Sequence, residues 1–435
     1  MKQRYYSLDV FRGATVCLMI LVNNPGSWAH IYSPLEHAPW HGLTPTDLVF
    51  PFFLFAVGNA MAFVMPRLQA GGDGVFWRKV IKRSLLIFGI GLFLNWWPFS
   101  RWENNELVAN GWTWVNAQGK LVGVRIFGVL QRIAVCYFFA SIIVYYLKVR
   151  GSFLLGTILL LFYWLLCVLG NPADPYSLAG WFGTNIDLSI LHDQHMYHGE
   201  GVVFDPEGII HTIPAIVQVI FGYLVGDYII QRGKASELRA TAQKENNITV
   251  IATPTSSFSE SMTVPNAEPQ PPNSKLQTLY RTLTGLFVAA MALLLTGYVW
   301  NLSFPVNKKI WTSSYVVTTT GMAIAILATL IYAIEIKGIR NWLTRFFDVF
   351  GKNALFVFAL SAFLPKGLRL IRIPNGLNAR GEAIYTSPWN WIYERVYKFM
   401  PGAPEIGSLA FALTVILFMW AICYWLDKKK IYIKV

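Results

Sequence analysis

Charge is what this 435-residue chain has least of: 14% of its residues are Asp, Glu, Lys or Arg, and 54% are hydrophobic. Soluble domains carry roughly 25% charge. The shortage excludes an ordinary soluble globule, and the apolar excess excludes a disordered or collagenous chain. Cysteine is scarce too, with four in all. Cys17, Cys136, Cys167 and Cys423 each lie in an apolar stretch. They read as small core or lipid-facing residues, not as a disulfide framework or a metal cluster. There is no Walker loop and no GxGxxG, the motifs of a nucleotide-driven pump. No internal repeat stands out, which weighs against an inverted-repeat transporter. The charged start (Lys2, Arg4) runs into an apolar span without a small-residue cleavage site, so no cleavable signal peptide is expected.

Long apolar runs are what the chain does have. A spanning helix needs about 20 mostly apolar residues. Ten segments qualify: 8–24, 46–66, 79–98, 124–147, 152–169, 209–230, 279–300, 313–335, 347–365 and 406–426. The expected fold is an all-α membrane protein, a polytopic bundle of about ten transmembrane helices. The 17 Trp and 20 Tyr suit belts at two membrane interfaces. The formal net charge of +13 would suggest nucleic acid in a soluble chain. Here it reads as basic loops that set orientation, and no nucleic-acid partner is expected. With both termini in the cytoplasm, the dense basic groups fall inside: Arg78, Lys79, Lys82 and Arg83, then Lys148 and Arg150, then Lys428, Lys429 and Lys430. The segment 366–405 strains this topology, because it puts Lys366, Arg369, Arg372, Arg380, Arg395 and Lys398 outside.

Residues 232–278 form a composition break rich in Pro, Ser, Thr and Asn. They read as a flexible cytoplasmic linker between a first six-helix group (1–231) and a second four-helix group (279–435).

Polar chemistry concentrates at the outer side. All seven histidines fall outside or at the outer rim, and His is the side chain that titrates near neutral pH. The densest cluster runs from Asn23 through His37, Trp40, His41, Thr44 and Thr46 to Asp47. Thr44 or Thr46 can cap the second helix, with Asp47 in its first turn. Helix capping does not explain Asn23, a donor for a developing oxyanion, His37, a general base, or Trp40, a flat face for a sugar ring. His192, His195 and His198 invite a zinc reading by spacing, but one helix would not aim all three the same way, and no cysteine accompanies them. Asp205 and Glu207 precede the sixth span. They can cap it, or hold an ammonium or sugar hydroxyls at the outer mouth. Arg12, Arg125, Arg132 and Lys352 fall inside spans, where charge faces a bundle interior or cavity. Arg125 and Arg132 lie seven residues apart on one expected helix face. Arg12 and Lys352 could meet phosphates of a cytoplasmic ligand, or simply pair with Asp9 and Asp348.

Ser7-Leu8-Asp9-Val10-Phe11-Arg12-Gly13 and His37-Ala38-Pro39-Trp40-His41-Gly42-Leu43-Thr44-Pro45-Thr46-Asp47 resemble the heparan-α-glucosaminide N-acetyltransferase family of the transmembrane acyltransferase superfamily. Gly128-Val129-Leu130-Gln131-Arg132-Ile133, Asp205-Pro206-Glu207-Gly208-Ile209, Pro305-Val306-Asn307-Lys308-Lys309-Ile310-Trp311-Thr312-Ser313-Ser314-Tyr315 and Gly351-Lys352-Asn353-Ala354-Leu355 extend the resemblance over nearly the whole chain except the linker. It implies transfer of an acetyl group from cytoplasmic acetyl-CoA, as co-substrate, to the amine of a terminal glucosamine on the far side, with no metal. His37 falls on the family's active-site histidine and Asn23 on its active-site asparagine. Trp40, Asp47, Arg132, His195, Asp205 and Glu207 are then candidates for holding the sugar. Arg12, Lys352 and Asn353 are candidates for acetyl-CoA. The chain opens at the first family helix, as expected of a bacterial form in the plasma (inner) membrane. A homodimer is a further implication of the resemblance. Two rival readings are a transporter or flippase of a sugar or anionic lipid, and a membrane O-acyltransferase.

Overall fold

The structure is a computed structural model that describes residues 5–103, 105–116, 118–251, 274–377 and 381–433. Apolar runs become helices because a chain in hydrocarbon must satisfy its backbone internally. The first three are α1 (Tyr6–Asn23), α2 (Val49–Ala70) and α3 (Gly72–Trp96). Two antiparallel hairpins follow, β1 (Ser100–Glu103) with β2 (Glu106–Ala109), and β3 (Thr113–Val115) with β4 (Leu121–Gly123). Then come α4 (Val129–Gly170), α5 (Gly183–Leu191), α6 (Thr212–Ile251), α7 (Ser274–Asn301), α8 (Ser313–Ile331), α9 (Trp342–Lys352) and α10 (Ala354–Leu368). A third antiparallel hairpin, β5 (Ile373–Leu377) with β6 (Ala383–Thr386), precedes α11 (Pro388–Ile392) and α12 (Pro404–Lys428).

The fold is the expected all-α polytopic membrane bundle. Among the described residues, seven helices are long and apolar enough to cross a membrane, or eight with α9 and α10 counted as one span bent by 79°. α4 has 42 residues. At 1.5 Å per residue that is about twice a hydrocarbon core of roughly 30 Å. It breaks at Lys148, where φ is 58°, so it carries two of the expected spans joined at a basic corner. α3 carries Arg78, Lys79, Lys82 and Arg83 in its first half. α6 runs on to Ile251 and α7 starts at Ser274. The middle of the expected linker, 252–273, lies outside the described residues.

α2 packs along α6, α6 along α4, α7 along α8, and α1 along α9. Side chains such as Val16, Leu54, Met65, Ala215, Val316 and Phe350 fill the main core. Two crossings depend on glycine. A Cβ on Gly58 would lie 2.0 Å from the Val219 carbonyl oxygen, and one on Gly222 2.1 Å from that of Phe55. A Cβ on Gly13 would lie 1.7 Å from the Phe347 oxygen, and one on Gly351 2.1 Å from that of Asp9. Apolar burial gives helices little reason to associate in lipid, so close backbone approach through small residues holds such crossings together.

The hairpins and the long loops gather at one end of the bundle. α1 ends there at Asn23 and α2 begins there.

Gly222→Val is expected to lower the apparent melting temperature of the detergent-purified protein by at least about 5 °C. Gly89→Ala is the control, because its added Cβ meets nothing within 4 Å. It should shift the midpoint by no more than about 2 °C. Wild-type melting of Gly222→Val would remove the close α2–α6 crossing.

Candidate active site

The turn before α2 organises the site. Thr44 precedes the short Pro45–Leu48 turn. Its N–H and hydroxyl both donate to Asp47 Oδ2, at 3.1 and 3.0 Å, and the Ala38 N–H adds a third bond at 3.1 Å. Thr44 is therefore the capping residue of the two threonines. Thr46 is buried, with a hydroxyl that lacks a protein partner among the described residues.

Asp47 is 1% exposed, and its second oxygen, Oδ1, lies 2.7 Å from His37 Nδ1. The carboxylate can only accept, so Nδ1 carries the proton and Nε2 is left as the basic nitrogen. The His37 side chain is 47% exposed, so the ring is anchored on one edge and open on the other. Lys308 Nζ lies 3.1 Å from His37 Nδ1, 3.3 Å from Nε2 and 3.7 Å from Asp47 Oδ1. A tight turn delivers it: Asn307 accepts from the Ile310 N–H at 3.1 Å, and its own N–H donates to Thr312 Oγ1 at 3.0 Å. Burial lowers the Lys308 ammonium below its usual range, and Asp47 opposes this only in part.

Beside this trio lies a cavity of about 250 Å³, lined among others by Asn23, His37, Trp40, Thr46, Asp47, Arg125, Glu200, Glu207, Lys308, Lys309 and Trp311. Trp40 is fixed by a 2.7 Å bond from its Nε1 to the Tyr176 carbonyl. Lys309 Nζ sits 5.7 Å from the Trp40 ring centroid and bonds Glu200 at 2.5 Å. Arg125 grips Asp205 with two bonds, 3.0 and 2.5 Å, and also bonds Glu207. Burial pushes the Glu207 carboxyl up, and Arg125 with its neighbours more than offsets this, leaving it below the usual carboxylate range.

The structure thus brings Asn23, His37, Trp40, Asp47 and Glu207 around one space. Asp205 is fully buried and bonded to Arg125. It does not cap α6, which starts at Thr212. Its side chain instead takes the Glu207 N–H at 2.9 Å, closing a local turn. Arg125 is not on a helix face with Arg132, because α4 begins only at Val129. Gly128 and the extended residues before it turn Arg125 toward the carboxylates. Arg132 is fully buried, donating to the Gly208 carbonyl at 3.2 Å and lying 5.2 Å from the Trp311 ring centroid. His195 is also buried, with Nδ1 2.7 Å from the Val124 carbonyl oxygen. His198 pairs with Asp193 at 2.9 Å instead of joining it.

At the opposite end, Arg12 meets Asp9 at 3.4 Å and the Gly351 carbonyl at 3.3 Å. Lys352 is held by Asp348 at 2.7 Å and Asp427 at 3.0 Å. Asn353 ties down the C-terminal segment through the Ile431 carbonyl at 3.3 Å and the Ile433 N–H at 2.9 Å.

Over 407 residues, 82% of the chain, the sequence is 27% identical to human heparan-alpha-glucosaminide N-acetyltransferase. The mouse protein of that name is 26% identical over 408 residues. The chain is similar to heparan-alpha-glucosaminide N-acetyltransferases. It spans about half the length of these curated relatives, 52% and 53%. No family model matches it. The likeness read from the motifs is borne out.

Four site members are not marked by the residues alone: Lys308, Lys309, Glu200 and Tyr197, which lines the same cavity with its ring centroid 4.8 Å from the Arg125 guanidinium. Lys308 and Lys309 stand in one of the resemblance segments, but no rule of spacing places a loop lysine against a histidine 271 residues away. Arg125, expected within a span, stands instead in the extended segment before α4.

Beneath the site, Asp187 is 1% exposed and accepts the Ile209 N–H at 2.8 Å. Burial pushes its carboxyl up to about 6 from 3.8. A raised folded-state value means that ionisation costs stability. Stability should therefore fall as pH rises through about 4 to 6, by up to about 3 kcal/mol. Asp187→Asn keeps the acceptor and loses the charge. It is expected to flatten this pH dependence of melting and to raise the midpoint at pH 7. An unchanged slope would contradict the assignment.

Proposed function

We propose that the chain transfers an acetyl group from cytoplasmic acetyl-CoA to the amine of a terminal glucosamine-type sugar at the outer face of a bacterial plasma membrane. The observation that carries this reading is the His37–Asp47 pair, a buried carboxylate orienting an accessible imidazole at the mouth of a cavity. The excess of Lys and Arg at the other end of the bundle supports the sidedness.

In the proposed step the neutral amine nitrogen attacks the thioester carbonyl carbon. Its proton passes to His37 Nε2. Asp47 holds the ring by Nδ1 and balances the imidazolium that forms. The carbonyl oxygen takes on negative charge, which Asn23 and the Lys308 ammonium stabilise from the cavity wall. The carbon–sulfur bond then breaks, and the CoA thiolate takes a proton back from His37. An acetyl-His37 intermediate would use the same groups in two steps. Trp40 offers a face to the sugar ring. Glu207 offers an acceptor for its hydroxyls, and Asp205 positions Arg125. Arg12 and Lys352 are the cations proposed to meet the CoA phosphates at the cytoplasmic end. Both are engaged by carboxylates, so CoA phosphates would have to draw them away. Asn353 is structural in this arrangement.

CoA release from acetyl-CoA should require glucosamine and should fall about a hundredfold or more in His37→Ala. Glucosamine-independent release, or release that survives in the variant, would contradict the assignment. Ligand binding with no release for any amino sugar would favour a transporter, and acetylation of hydroxyls alone an O-acyltransferase.

A further inference from the structure

The cavity beside His37 has two layers, and the groups used above account for only one. Four of the stretches of chain that reach it each bring a polar residue and an apolar one. α1 ends at Asn23, and Met19 stands four residues earlier, one helical turn deeper in the bundle. Asp47 precedes α2, and Phe50 lies in the first turn of that helix. Lys308 is followed by Trp311, just before the start of α8, and Arg125 by Val129, the first residue of α4. α1 runs into this end of the bundle, whereas α2, α4 and α8 run away from it. In all four stretches the apolar member is therefore the one on the bundle side. A ring of polar groups stands over an apolar floor.

Trp311 is the largest group in that floor. It is 1% exposed, with the Phe50 ring edge-on at 5.0 Å, the Tyr315 ring edge-on at 5.1 Å and the Arg132 guanidinium 5.2 Å from its centroid. Its place is costly in two ways. Its φ is 49°, in the left-handed region that bulky side chains avoid. Its indole Nε1 is buried with no hydrogen-bond partner among the described residues, whereas a buried indole N–H usually has one. The loop holds it there all the same. The Trp311 N–H donates to the Lys308 carbonyl at 3.1 Å, the Thr312 N–H donates to the Asn307 carbonyl at 3.0 Å, and the Ile310 carbonyl accepts from the Tyr163 hydroxyl. A phenylalanine would fill this core position without the orphaned N–H. What the tryptophan adds is bulk at the cavity floor, and strain held in place beside a reactive site points to function.

We propose that the apolar floor receives the methyl group of the acyl donor, and that Trp311 sets the longest acyl chain the site accepts. With the thioester carbon beside His37 and its oxygen turned to Asn23 and Lys308, the methyl group meets the apolar surface one turn below. The cavity, at about 250 Å³, is smaller than most small-ligand sites, which span roughly 300–1,000 Å³. It must also seat the reacting end of the sugar, so it has room for an acetyl group and closes on a longer chain. This inference rests on the acetyl-transfer reading and deepens it from acyl transfer to the selection of a short acyl donor.

The test measures kcat/KM for acetyl-, propionyl- and butyryl-CoA, with glucosamine as acceptor, following CoA release by the purified chain. Propionyl-CoA should fall at least about tenfold below acetyl-CoA, and butyryl-CoA further, since one methylene in a filled apolar pocket is worth about 10–200-fold. Trp311→Leu opens the floor and removes the unpaired N–H. It should raise the butyryl-to-acetyl ratio of kcat/KM about tenfold or more. Trp311→Phe should raise the propionyl-to-acetyl ratio by a smaller factor. A role in the fold alone would lower all three donors alike. Wild-type protein that uses the three donors equally would overturn the proposal, as would a Trp311→Leu protein with unchanged ratios. Should neither Trp311 variant fold, Met19→Ala opens the same floor from α1 and decides in their place. A raised propionyl-to-acetyl ratio sustains the proposal, and an unchanged one overturns it. If acetyl-CoA and glucosamine give no release with the wild type, the acetyl-transfer reading fails instead. Calorimetric binding of the three acyl-CoAs then decides the floor. Affinity that falls with chain length in the wild type and is levelled in Trp311→Leu sustains it, and equal affinities or no binding overturn it.

Discussion

The carboxylate of Asp47 is the point on which the site turns. Burying an ionised carboxyl is costly unless its lone pairs are filled. Here three donors from the preceding loop fill one oxygen, and His37 with Lys308 faces the other. The backbone carbonyl of the same residue accepts from the Tyr315 hydroxyl at 2.6 Å. One residue therefore joins the turn before α2, the loop that carries His37 and the first turn of α8. Removing its charge would loosen the loop, free the imidazole and leave Lys308 without its nearest anion.

The two ends of the bundle use charge differently. At the site end, cations and carboxylates line a cavity, and part of each remains accessible: the half-exposed His37, Lys308 beside it, and Arg125 between two carboxylates. At the opposite end, Lys352 sits between two aspartates and Arg12 beside another, so those charges are tied into helix packing. The helix crossings between these ends are close because glycine stands at the contact points, which gives the site loops a rigid base. This separation of an engaged end from an open one is what an enzyme that reacts at one face would need.

Much of the architecture was legible in the amino-acid sequence. Hydropathy runs mark each spanning segment, and even the break inside α4 shows as Lys148 and Arg150 between two apolar stretches. Asn23, His37, Trp40 and Asp47 are legible as a group because they lie within one short segment that the chain must fold back on itself. Glu207 is legible as a carboxylate before a span. The rest depends on tertiary contact. Lys308, Lys309 and Glu200 come from loops far apart in sequence, and no local pattern predicts that they converge. The apolar residues around Arg125 point to a helix, whereas Gly128, in extended backbone, delays the helix to Val129. The three hairpins are too short, and too mixed in polarity, to signal themselves. His195 meets the Val124 carbonyl and Arg132 the Gly208 carbonyl, contacts that only the fold creates, and Arg132 Nε and Nη1 stay buried without a hydrogen-bond partner among the described residues.

The most direct measurement is the rate of CoA release by Asp47→Asn, in protein shown to be folded and to bind acetyl-CoA. The substitution keeps the shape of the side chain and removes its charge. With Asp47 orienting and balancing His37, the rate should fall about a hundredfold or more while acetyl-CoA binding is retained. A folded Asp47→Asn protein that turns over at the wild-type rate would contradict the role given to this carboxylate.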